Sequence, residues 1–361
     1  MIRNEKFDLL RVIAAFMVVL LHVSASYVTG NMSNPNFNFT IGNFYDSITR
    51  TCVPIFVMLS GTFLLDNSKN RDYKYFYTKT YKKIIIPTII WSLVYFIFSM
   101  LLIGIQGLKG EEVNYLVPLI NWIKGQPYYH LWYLYMTIGL YMITPILIVL
   151  KVDIGDENFF RLGIGLLLLG IIISLTSNLF WPIKFINYLG YFILGYSIRK
   201  RLSTNSFKLY ISFIVTIISA LLIFIVTENI VFNNIKMDNP LYFYDNLSPF
   251  VVIGSVAIFS VFCSMKDVSV SPLINKFAKN SFNIYILHAG ILSVLQQVLS
   301  KILRVDLNPI WFIPFLSILV FILSYIGSVI IEKIMRLNLF SNVREKSSMN
   351  SIIRNIVNVQ K

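Results

Sequence analysis

Apolar runs of about 20 residues recur from one end of this chain to the other, more than the core of any soluble domain can take in. Each can cross a hydrocarbon layer of about 30 Å as a helix, which satisfies its own backbone hydrogen bonds in lipid. Ten such runs are read, over roughly 7–28, 45–66, 83–105, 130–150, 162–180, 183–198, 208–228, 247–265, 281–301 and 310–332. Only Trp181 and Pro182 separate the fifth from the sixth. Composition agrees, since 56% of the residues are hydrophobic and only 13% are charged, too few to clothe a water-facing surface. The expected fold class is all-α: a polytopic integral membrane protein of about ten transmembrane helices.

A net charge of +14 would suit nucleic acid if the chain were soluble, so its distribution matters more than its sign. With the N-terminus in the cytoplasm, the outward segments hold seven basic residues (Arg50, Lys109, Lys124, Lys184, Lys236, Lys301 and Arg304) and the inward segments hold the other 24 of 31. That bias follows the positive-inside rule and puts both termini in the cytoplasm. No basic patch interleaved with aromatic residues stands apart from the membrane flanks, so nucleic acid is not an expected partner. Cys52 and Cys263 lie in separate spans, which indicates neither a disulfide framework nor a thiolate metal site. A cleaved signal peptide is the other reading of the first run, with Val23, Ser24 and Ala25 as its small-residue site. The run is long for that purpose and carries Arg11 and His22.

No gap between runs much exceeds 20 residues, so residues 1–338 are read as one membrane domain. Residues 339–361 are read as a basic cytoplasmic tail, lying on the membrane surface or disordered. The aromatic and basic segment from Tyr73 to Tyr81 suits an interfacial helix leading into the third span.

Ionisable groups inside a bilayer are expensive and default to functional hypotheses. The first span contains three: Asp8, Arg11 and His22. At about 100° per residue, the 11-residue step from Arg11 to His22 closes to within about 20° of three full turns, so both side chains share a face. Asp8 sits one turn before Arg11, within reach of an ion pair, and Ala15 keeps the face shallow. The result is a polar stripe ending at a histidine about 16 Å deeper than Arg11. A histidine in such a site can take a proton from a hydroxyl, as a general base for acyl transfer must, and an arginine can hold an anionic donor. The same residues would also serve as interfacial anchors and a helix-packing histidine.

Together the residues from Phe7 to Arg11, with His22 eleven positions on, resemble the first helix of the acyltransferase-3 family, membrane O-acyltransferases that often acetylate cell-surface polysaccharides. Further stretches are similar to that family in the same order. They are Val53 to Gly61, His130 to Leu134 continuing to Thr144 and Pro145, and Ser281 to His288. The resemblance implies ten core helices, a cytoplasmic acyl-CoA donor, usually acetyl-CoA, no permanently bound cofactor, and His22 as catalytic residue. Asp8 is placed with His22, and Arg11 with the donor. Many members carry two arginines, three residues apart, before the third helix; here Lys79, Lys82 and Lys83 stand ahead of Pro87. They are assigned to donor phosphates, although lysine lacks the bidentate fork and the same lysines would serve as positive-inside flanking charge.

His288 by resemblance lines the donor path; a packing role fits it equally. His130, Trp132 and Tyr133 read as an interfacial aromatic belt before a sugar platform. Ser60 and Gly61 read as close-packing residues before a nucleophile. Three histidines in three spans leave no local metal-ligand set. The expected function is transfer of an acetyl or short acyl group from acyl-CoA to a hydroxyl of a glycan or lipid-linked glycan at the cell (plasma or inner) membrane, directly or through an acyl-enzyme at His22. A transporter or flippase of polysaccharide precursors is the rival, disfavoured because no internal repeat is visible.

Overall fold

The computed structural model describes residues 4–176, 183–202, 206–302 and 307–359, and these form helices joined by short turns and loops, with no strand among them. The helices are α1 (Glu5–Asn31), α2 (Phe37–Thr49), α3 (Cys52–Leu65), α4 (Tyr73–Thr80), α5 (Ile86–Leu108), α6 (Leu116–Ile123), α7 (Trp132–Thr176), α8 (Phe185–Arg201), α9 (Ser206–Phe232), α10 (Pro249–Ser264), α11 (Pro272–Ile302) and α12 (Pro309–Val359). Eight helical stretches are long and apolar enough to cross a membrane. The expected ten differ from eight for two reasons. Gly155, at φ 78°, turns the 45-residue α7 into two arms that the sequence reads as two spans. Helix α8 has only 17 residues. The break expected at Trp181 and Pro182, and Arg304 of the charge tally, lie outside the described residues.

Other boundaries moved as well. The second span begins at Phe37, well before residue 45, and it is broken at Arg50 and Thr51 between α2 and α3. Helix α12 continues through residue 339 to Val359, with no backbone break where the tail was expected to start. The segment Tyr73 to Tyr81 is helical, as expected. It joins α5 through a π-helical turn, Tyr81–Ile85. Pro87 explains the turn: it has no N–H for the Lys83 carbonyl, and the ladder widens ahead of it.

Helix α1 lies against α2, α3, α11 and α12. Leu10, Ala14, Val19 and Val23 are fully buried there. Helices α3 and α8 cross almost in backbone contact. A Cβ on Gly61 would sit 1.7 Å from the Phe192 carbonyl oxygen, and one on Gly195 would sit 2.0 Å from that of Met58. Thr62 Oγ1 donates to the Gly195 carbonyl at 2.7 Å across the same crossing. Gly61 therefore packs, as small residues do between membrane helices. Gly61→Val should force the helices apart, lower stability by about 1–3 kcal/mol and reduce membrane abundance. Gly30→Ala, where the added methyl meets nothing within 4 Å, is the control. Equal detergent melting of the two variants would refute the crossing as a constraint.

The break between α2 and α3 is organised by a polar network that the sequence did not reveal. Arg50, counted above among outward-facing charges, pairs with the fully buried Asp46 at 2.5 Å. Its guanidinium lies 3.8 Å from the centre of the Tyr244 ring. The Tyr244 hydroxyl donates to Asn43 Oδ1 at 2.6 Å, and Asn43 Nδ2 donates to Glu228 Oε2 at 2.7 Å. This network ties α2 to α9 and to the segment before α10.

Candidate active site

Helix α1 presents its polar residues along one side, as their spacing predicts. Arg11 Nη1 meets Asp8 Oδ1 at 2.8 Å. Asp8 is buried while Arg11 keeps 29% of its side chain exposed, so a covered carboxylate holds a guanidinium that still reaches outward. Arg11 heads a cavity of about 120 Å³ enclosed by α1, α3, α7 and α11. Ser60, Tyr133, Tyr141, Ser281 and Tyr285 line it, so hydroxyl groups face one another across apolar helices. Such a chamber offers hydrogen bonds to a polar ligand between apolar walls.

At the far side of Tyr285 the chain gathers all three of its histidines. The Tyr285 ring centre is 5.6 Å from those of His130 and His288. The His288 ring lies 5.2 Å from His22 at an interplanar angle of 24°, and 5.1 Å from His130 at 78°. His22 is half-buried and approached at 4.8 Å by Tyr129, which is 40% exposed, whereas His130 and His288 are covered. His22 is therefore the histidine of the cluster that stays open, on the side away from Arg11. No hydrogen bond fixes either of its ring nitrogens among the described residues.

The two covered rings are fixed by backbone carbonyls. His130 Nε2 donates to the Ile286 carbonyl at 3.1 Å, and His288 Nδ1 donates to the Tyr285 carbonyl one turn back. A carbonyl only accepts, so each of these nitrogens carries the hydrogen, and His130 Nδ1 and His288 Nε2 hold bare lone pairs. Both bare nitrogens are buried without a partner.

His130 departs from the sequence reading. It is not part of an interfacial belt but is 1% exposed, in the turn ahead of α7, enclosed by Tyr95, Tyr128, Tyr129 and Tyr285. The Tyr285 hydroxyl donates to its carbonyl and secures that turn. Sequence spacing could not join positions 22, 130 and 288; the rarity of histidine in this chain was the one available hint. Among the described residues no group of three or more His, Cys, Asp or Glu is arranged to hold a metal ion.

Lys79 and Lys82 line a separate open groove of about 420 Å³ with Asp72, Lys74, Tyr75 and Thr78. Lys83 is exposed in the π-helical turn, next to Ile84, which lines the Arg11 cavity. The lysines thus flank the Arg11 end of the site and stand clear of the histidines.

A family model described as an acyltransferase domain matches residues 4–329, nearly the whole chain. The chain belongs to the acyltransferase-3 family. No match was found among curated proteins or among solved structures. The matched region of this acyltransferase-3 protein runs from α1 into α12 and holds Arg11, the three lysines and all three histidines. With its long apolar helices, the protein is a multi-pass membrane acyltransferase. An acyltransferase must bring a donor carbonyl, a nucleophile and a base together away from water.

Proposed function

We propose that the protein moves an acetyl or similar short acyl group from acyl-CoA to a hydroxyl of a cell-surface glycan or lipid-linked glycan precursor, with His22 as general base. The observation that supports this most is the Arg11-headed cavity, whose far wall, Tyr285, touches the histidine cluster. Its 120 Å³ suit the acyl-thioester end of the donor and leave the nucleotide outside. Arg11, with Lys79, Lys82 and Lys83 beside that mouth, supplies positive charge for the donor phosphates. Asp8 keeps the guanidinium in place. The acceptor approaches from the side of Tyr129, where His22 is open.

In the reaction the acceptor O–H bond breaks, its proton passes to a His22 ring nitrogen, and the oxygen bonds to the thioester carbonyl carbon. The carbon–sulfur bond then breaks, and the departing thiolate takes the proton from His22. The histidine ends as it began. Hydroxyls of Ser60, Tyr133 and Tyr141 line the cavity and would donate to the carbonyl oxygen as it gains charge. The distribution of basic residues supports a cytoplasmic Arg11 end and a location in the plasma or inner membrane.

Donor binding tests the reading directly. Arg11→Ala in the detergent-solubilised full chain should weaken radiolabelled acetyl-CoA binding by about 10- to 100-fold, the loss of one charge-assisted contact, with Arg11→Lys in between. Binding indifferent to Arg11→Ala would remove the donor assignment.

A further inference from the structure

A general base is usually oriented by a third group, as the histidine of a serine hydrolase is by its carboxylate. Among the described residues, His22 has no such group bonded to its ring nitrogens. What lies beside it is His288, fully buried, with its tautomer set by the Tyr285 carbonyl and a bare Nε2 that no donor meets. A buried acceptor left without a donor costs about 1–3 kcal/mol, so a neighbour able to satisfy it has a reason to do so.

The neighbouring ring able to carry a donor is that of His22, which lies nearly parallel to that of His288. Two imidazoles joined by an N–H···N bond of about 2.9 Å, near coplanar, have ring centres roughly 5 Å apart. His22 and His288 stand at 5.2 Å and 24°. A half-turn of the His22 ring about its Cβ–Cγ bond exchanges its nitrogen and carbon edges while leaving the outline of the ring unchanged.

We propose that His288 is the positioning residue of His22: its Nε2 accepts the N–H of His22, which leaves the lone pair on the other His22 nitrogen facing the acceptor hydroxyl. This moves His288 from the donor path to the back of the base, and it rests on the reading of His22 as base. The chain of support continues inward. Tyr285 gives its carbonyl to His288 and its hydroxyl to the His130 carbonyl, so one tyrosine fixes both covered histidines. His130 closes the remaining side of His288 edge-on, at 5.1 Å and 78°. An imidazole acceptor differs from a carboxylate in being neutral, which suits a site within the bilayer, where a third charge would be costly.

The test uses the full chain in two ways. In cells, with matched membrane abundance, His288→Leu should lower surface-glycan acylation about 10- to 100-fold, within the range assigned to general-base catalysis. His288→Gln, whose amide oxygen can replace Nε2 as acceptor, should stay within about 5-fold of native, as a retained hydrogen bond requires. Both should bind acetyl-CoA as native does. In detergent, histidine-selective 15N labelling reports the ring nitrogens of just three residues. His22 should show one protonated nitrogen in a hydrogen bond, and that signal should move in His288→Leu and return towards its native position in His288→Gln. Native acylation in His288→Leu, or a His22 signal blind to His288, would overturn the positioning role. Full acylation by His22→Ala would instead overturn the base reading, whatever the nitrogen signals show.

Discussion

Cells carrying His22→Ala at native membrane abundance are expected to lose acylation of their surface glycan by at least about 100-fold, the lower bound for removing a general base. The protein should still bind acetyl-CoA, because Arg11 lies about 16 Å away along α1. The reason for so large an effect lies in the neighbours. His130 and His288 have bare nitrogens, but both are covered, so neither can reach a hydroxyl arriving past Tyr129. His22→Gln keeps most of the volume and offers no comparable base, so it should be equally inactive. The measurement is the ester-bound acyl content of surface polysaccharide from a deletion strain complemented with each variant. Acylation restored in full by His22→Ala would exclude His22 from the chemistry. No change on deletion of the native chain would exclude the surface glycan as acceptor.

The second large effect concerns stability. Arg50→Leu leaves Asp46 fully buried without its cation, and breaking a buried pair from one side costs about 3–5 kcal/mol. The loss reaches further than one contact, because Arg50 also packs on Tyr244, whose hydroxyl holds Asn43 and, through it, Glu228. Membrane abundance and detergent melting temperature should both fall sharply. Removing both charges, Asp46→Asn with Arg50→Gln, should recover more than half of the loss, since no unpaired charge remains. If the single and double variants melt together, the pair contributes packing only, and the uncompensated carboxylate is not the cause.

Much of this was legible in the chain itself. The all-helical membrane fold follows from the apolar runs, and the Asp8–Arg11 pair follows from a three-residue step on one helix. Local rules see along a helix. They do not see across a bundle, which is why His130 read as belt, when tertiary packing buries it against His288, and why nothing in the spacing put His288 beside His22. Arg50 was misread for the same reason: its partner Asp46 was one turn away, but only the fold shows that α2 begins at Phe37 and buries that turn against α9. The kink at Gly155 was hidden differently. A glycine at positive φ leaves no periodic trace, and its two arms read as two spans.

The π-helical turn at Tyr81–Ile85 sets how the basic groove is turned against the rest of the bundle. A π turn accommodates one residue more than the α-helix it interrupts, and one residue is worth about 100° of rotation. Helix α4, with Lys74 and Lys79, is thereby swung about its axis relative to α5 and the Arg11 cavity. The angular setting of the basic groove depends on a single extra residue, so a chain one residue shorter in this turn would turn the same lysines to a different angle about the Arg11 cavity.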